Sequence, residues 1–133
     1  MLAKTLTGPN GLAFSPDEKY LFVSNSGPVQ KLWMRFEVKP DGTLGAGKVF
    51  YDVSDSKDQG APDGMKVDRK GNLYCAGPEG IWIFSATGNH LGTIRLPQAP
   101  ANCNWGNDGG KTLYMTAGPA VYRIRLKVEG IRP

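Results

Sequence analysis

The stretch PNGLAFSPDEKYLFVSN, residues 9–25, is echoed further along the chain by PDGMKVDRKGNLYCAG, residues 62–77. Each copy opens on a Pro-Asx-Gly tripeptide, runs through alternating apolar residues, crosses a charged turn and enters a second apolar stretch. A third, degenerate copy, ANCNWGNDGGKTLYMTA, occupies residues 101–117. Period-two alternation broken by turn residues is the pattern of short half-buried strands. Self-similarity at a spacing of roughly 40–50 residues marks the blades of a β-propeller. The fold expected is all-β, a β-propeller fragment of about three four-stranded blades over residues 9–52, 61–97 and 100–133.

Working outward, the first repeat reads as strands over 11–15, 20–24, 31–38 and 48–51, with Pro40-Asp41-Gly42 as a tight turn. The second reads as 64–67, 72–75, 80–84 and 90–95. The third reads as 103–105, 112–116 and 120–127, and its fourth strand is missing. Asp17, Asp41 and Asp108 fall in hairpin turns. Trp33 and Trp82 are expected to pack between blades. Three blades cannot surround an axis, so an open array should leave two apolar faces in water. Either the chain is half of a six-bladed ring completed by a missing N-terminal half, or two copies associate into one.

Composition bounds the rest. The 133 residues are 40% hydrophobic and 21% charged, with 18 Gly and 10 Pro, as for a folded chain rich in turns. The net charge of +4 is spread singly along turns and strands, which argues against nucleic-acid binding. No run of about 18 apolar residues reads as a membrane span. The opening MLAKTLTGPNG lacks the apolar centre of a secretory signal, making a cytoplasmic location the default expectation. Cys75 and Cys103 match neither a zinc spacing nor a disulfide framework and read as buried thiols. His90 is the only histidine and lies in a turn, which disfavours a Ser-His-Asp triad.

A fold repeat has no need of an oxygen-bearing side chain at its head, yet Asn10 and Asp63 both stand there. Asn and Asp are also good strand-initiating turn residues, so the residues alone leave a site and a turn both open. Asn25 and Ser26, which end the second strand, and Asn102 and Asn104, flanking Cys103 at the head of the third repeat, are weaker candidates for substrate contact.

The strings PNGLAFSPDEKYLFVSNS, PDGMKVDRKGNLYCAGPEGIWIF and NCNWGNDGGKTLYMTAG, with the ending YRIRLKVEGIRP, closely resemble the senescence marker protein/gluconolactonase family across essentially the whole chain. Its members are six-bladed propellers that hold one divalent cation at the top of the central channel and hydrolyse sugar lactones. The resemblance implies that Asn10 and Asp63 are metal ligands, and that Asp63 is also the candidate base that activates water. It implies a small-molecule lactone as substrate and one divalent cation as cofactor. Hard oxygen donors favour Ca²⁺, with Mg²⁺, Mn²⁺ and Zn²⁺ as alternatives. The family's Glu-Gly-Pro glutamate and a further asparagine have no counterpart, so the chain resembles the C-terminal half of the fold. In a symmetric homodimer two Asn10 and two Asp63 would ring one axis. The competing reading is a non-catalytic propeller fragment, a metal- or partner-binding module that self-associates through open blade edges.

Overall fold

Strands form wherever apolar alternation meets a turn able to reverse the chain. The computed structural model describes residues 1–107 and 109–131, and eleven strands lie among them. The turn expected at Asp108 and the end of the third repeat at residues 132–133 lie outside the described residues. In the first sheet β1 (Pro9–Phe14), β2 (Tyr20–Ser26), β3 (Lys31–Glu37) and β4 (Lys48–Asp52) pair antiparallel in chain order. The second sheet repeats this with β5 (Met65–Val67), β6 (Leu73–Gly77), β7 (Gly80–Phe84) and β8 (His90–Arg95). The third holds β9 (Pro100–Gly106), β10 (Thr112–Ala117) and β11 (Ala120–Arg125). Three antiparallel sheets stacked in this way are consistent with a β-propeller fragment. Among the described residues no helix is long and apolar enough to cross a membrane.

Local chemistry sets the turns. The buried Asp68 carboxylate accepts the backbone N–H groups of Lys70 (2.8 Å) and Asn72 (2.9 Å) and the Asn72 amide (2.8 Å), closing the β5–β6 hairpin. Gly71 turns there at φ +84°, a conformation that side chains disfavour. Asp17 plays the matching part in the β1–β2 hairpin, accepting from the Ser15 hydroxyl (2.7 Å) and the Lys19 N–H (3.2 Å).

The sheets adhere through two apolar seams. Phe22, Trp33 and Val53 of the first repeat pack against Met65, Val67, Leu73, Cys75 and Phe84 of the second. Trp33 is fully buried there, edge-on to Phe84 with ring centroids 5.2 Å apart and 6.0 Å from Trp82. Both tryptophans thus pack between sheets. Tyr74, Ala76 and Ile81 meet Cys103, Trp105, Leu113 and Met115 across the second seam. Burial pushes the Cys103 thiol up to about 12 and the Cys75 thiol well above its ordinary value, so both are inert.

One expectation about the outer faces is corrected. The first sheet's outer face is apolar: Leu21, Leu32, Met34 and Phe36 lie there under Leu6, Val38 and Leu44, with Leu12 59% and Phe14 47% exposed. The third sheet's outer face is mostly polar. Asn104, Tyr114 and Arg123 stand opposite one another across its strands, as do Asn102, Thr116 and Val121. The sheet's apolar side chains go to the other face, because Trp105, Leu113 and Met115 fill the seam with the second sheet.

Trp33→Ala should empty the first seam and cost about 3–5 kcal/mol. Urea denaturation would show this as a lowered midpoint at unchanged slope.

Candidate functional site

The innermost strands of the three sheets run side by side, and their heads carry the repeated tripeptide. Pairing identifies the equivalent positions: Leu12 faces Val23, Met65 faces Cys75 and Cys103 faces Met115. Two residues before each of these stand Asn10, Asp63 and Ala101. All three sit at a β-bulge. In β1 the register shifts between Pro9 and Leu12. Ala76 accepts from the Asp63 N–H (3.0 Å) while donating to the Gly64 carbonyl (2.9 Å). In β9 the register shifts between Thr116 and Ala117, opposite Asn102 and Pro100. A bulge re-aims a side chain that the strand would otherwise point into a sheet face.

The glycine of each tripeptide has a steric cause. A Cβ on Gly11 would run into the Asp63 carbonyl oxygen, and one on Gly64 into the Asn102 side chain. The Gly64 N–H donates to the Ala101 carbonyl at 2.9 Å, tying the second and third heads together. Glycine therefore allows adjacent inner strands to touch, which brings Asn10 and Asp63 together.

Polar contacts orient the pair. The Asn10 Nδ2 donates to the Ser26 Oγ (3.3 Å), and the Ser26 hydroxyl donates to the Pro62 carbonyl. Among the described residues no donor reaches the Asn10 carbonyl oxygen. Asp63 is half-buried, and desolvation raises its carboxyl above the ordinary 3.8, the Gly64 N–H and the Asn10 amide pulling it part of the way back. One amide oxygen and one carboxylate with no cationic partner among the described residues are a donor set that fits a hard divalent cation. Among those residues no three His, Cys, Asp or Glu side chains gather to hold a metal.

The weaker candidates separate. Asn25 is completely buried, and its amide is committed to the loops: Oδ1 accepts from the Gly8 N–H (2.8 Å), and Nδ2 donates to the Gln30 carbonyl (2.6 Å) and the Thr7 hydroxyl (3.3 Å). In this structure the Asn25 amide braces the two loops at the end of β2. Asn102 occupies the glycine position of the third tripeptide and not its Asx position, which is Ala101. Asn102 and Asn104 are both exposed, each accepting the next residue's N–H on its Oδ1 (2.9 and 3.0 Å). Ser26, named with Asn25 from its place at the end of the second strand, bonds the Asn10 amide and the Pro62 carbonyl.

Residues 1–118 match the family described as SMP-30/Gluconolactonase/LRE-like region. The chain belongs to this family. It is 38% identical over 132 residues to a gluconolactonase of Zymomonas mobilis, covering 94% of this chain and 36% of that protein. It is 30% identical over 144 residues to regucalcin of Xenopus laevis, covering 93% and 47%. The structure of a gluconolactonase from Xanthomonas campestris superposes with a TM-score of 0.83 at 35% identity, over 94% of this chain and 40% of that one. The chain thus spans between a third and a half of the length of these relatives.

The raised carboxyl has a consequence for stability. Folding favours protonated Asp63, so its stabilising contribution is complete below the ordinary 3.8 and is lost as pH rises through the higher folded-state value. At neutral pH the ionised group opposes folding of the cation-free protein. Asp63→Asn should therefore raise the urea midpoint at pH 7, with the gain vanishing near pH 3. An equal gain at both pH values would exclude ionisation as the cause.

Proposed function

We propose that the chain is half of a six-bladed, metal-dependent sugar-lactone hydrolase. The observation that carries the reading is the convergence of Asn10 and Asp63 from two copies of one tripeptide onto touching strands. The relatives named gluconolactonase support the substrate class. Asn10 and Asp63 would hold the cation, Ca²⁺ before Mg²⁺, Mn²⁺ or Zn²⁺ on the grounds of their hard oxygens. Polarisation of the lactone carbonyl is the chemistry such a cation supplies when bound. Ser26 fixes the Asn10 amide so that its carbonyl oxygen faces the site. Asp63 would take a proton from the attacking water, and its raised carboxyl supports that role.

The remaining donors come from the other half of the ring, either an N-terminal half or a second copy. A symmetric pair would bring two amides and two carboxylates to one axis, a site able to hold a cation in altered geometry. A second reading is a self-associating module without catalysis. The exposed Leu12 and Phe14 on the apolar outer face favour association in either case.

Calorimetric titration with each cation and a lactone-hydrolysis assay test the proposal. Asp63→Ala should abolish cation binding, and Ser26→Ala should weaken it by about tenfold, the scale on which supporting hydrogen bonds act on metal affinity. Undiminished affinity in Asp63→Ala would remove Asp63 from the ligand set. Light scattering separates a ring of two copies from a lone 14.4 kDa chain, and cation binding without hydrolysis in an assembled ring would favour the module.

A further inference from the structure

The first two sheets end on a fourth strand, β4 beside β3 and β8 beside β7, whereas among the described residues β11 is the last strand of its sheet. By pairing, β11 stands where β3 and β7 stand, in the interior of a four-stranded sheet. The register shows which way its backbone groups turn. The Leu126 N–H bonds the Lys111 carbonyl at 2.8 Å, and the antiparallel ladder repeats every second residue from there. Ile124, Tyr122 and Ala120 therefore turn their N–H and C=O groups toward β10. Val121 and Arg123 turn theirs to the open edge.

An open sheet edge is ordinarily blunted against further pairing. The outer edges of the other two sheets are: β4 shifts register against β3 between Trp33 and Met34, and β8 shifts against β7 between Ile83 and Phe84. β11 has no such shift, and its six residues pair with Thr112–Ala117 in unbroken step. This edge also lies at the rim. β9 carries the strand head and β11 is the strand farthest from it. A sheet closing against the polar outer face would leave the edge open.

Side chains say what fits there. Val121 and Arg123 share the polar face with Thr116 and Tyr114, while Tyr122 packs toward the second seam and Ile124 continues that side, 37% exposed. Arg123 has no ion-pair partner among the described residues. A strand laid along the edge sets one residue opposite Arg123, where a carboxylate is favoured, and its neighbours beside Tyr122 and Ile124, where apolar groups are. A second copy does not supply this: two β11 strands paired about a twofold axis at their centre set Arg123 against Arg123, and residues 1–8 carry Lys4 and no carboxylate. We infer that the β11 edge is a docking site for an extended segment of a partner protein in which carboxylates alternate with apolar residues. The segment completes the third sheet as a fourth strand. Backbone direction and charge carry this inference, which needs neither the cation nor a closed ring.

The test is an NMR titration of the whole chain with backbone hydrogen exchange read residue by residue. The probes are a capped peptide, Thr-Val-Glu-Val-Glu-Val-Thr, and its counterpart with Lys in place of Glu. The glutamate peptide should slow exchange at Val121 and Arg123 and leave Tyr122 and Ile124, already bonded to β10, unchanged. The lysine peptide should bind about fivefold more weakly, the scale on which an opposite-charge cross-strand pair differs from a like-charge one. Arg123→Glu should invert that preference. Val121→Pro removes an outward donor, spares the bonds to β10 and should abolish binding. Should that variant lose its dispersed spectrum, the peptide supplies the same test from the other side: methyl groups on its Glu nitrogens should block binding, and methyl groups on its Val nitrogens should not. No protection with either peptide, equal affinity for both, or protection without the two-residue alternation would each overturn the inference. Protection at Val121 and Arg123 that rises with protein concentration alone would assign the edge to pairing between copies and overturn it equally.

Discussion

Everything at the centre of this molecule depends on how closely two strands can approach. Gly11 and Gly64 are positions where a methyl group would strike the neighbouring inner strand, in one case its backbone and in the other an asparagine side chain. Removing the side chain lets the strand heads touch, and a bulge beside each glycine turns the preceding residue out of the sheet. Neither device is enough alone. Contact without the bulge would bury Asn10 and Asp63 in a sheet face, and a bulge without contact would leave them too far apart to share anything.

The same geometry gives the seams their chemistry. A side chain that leaves one sheet must find its counterpart on the next, so Trp33 and Phe22 meet Phe84 and Met65, and Tyr74 and Ile81 meet Trp105 and Leu113. The series stops at the third sheet. Tyr114, Thr116 and Arg123 stand where Phe22, Ser24 and Arg35 stand in the first and Tyr74, Ala76 and Ile83 in the second. The outer face that results is polar where the inner ones are greasy. Whatever lies against it must supply hydrogen bonds or charge, whereas the outer face of the first sheet asks for apolar area.

Much of this was legible from local pattern. Period-two alternation and turn residues gave the strands of all three repeats to within a residue or two at most ends, because a hairpin is specified by neighbours in sequence. The pairing of Asn10 with Asp63 was legible because the same tripeptide occurs twice. In the third copy only the strand pairing identifies the Asx position, which falls on Ala101 with Asn102 after it. The bracing role of Asn25 was not legible, because a polar residue at a strand end looks the same in sequence whether its amide faces a channel or holds two loops. The polarity of the third outer face depends on which face each residue takes once a seam is filled, and only the packed sheets settle that.

The chain end described through Ile131 returns from the third sheet to the second. The Arg69 N–H reaches the Glu129 carbonyl at 2.9 Å, Ile131 N–H reaches the Val67 carbonyl at 3.1 Å, and Gly130 lies so close to the Trp105 ring that no larger residue would fit. The second and third sheets are thus laced by backbone hydrogen bonds. Between the first and second no backbone–backbone hydrogen bond crosses among the described residues, and the Ser26 hydroxyl on the Pro62 carbonyl is a hydrogen bond that does. Asn10 and Asp63 sit on opposite sides of that unlaced seam. Any group that takes both acts as a clasp across it: part of its binding free energy goes into holding two bodies in register, and motion at the seam would loosen its grip before any strand came apart.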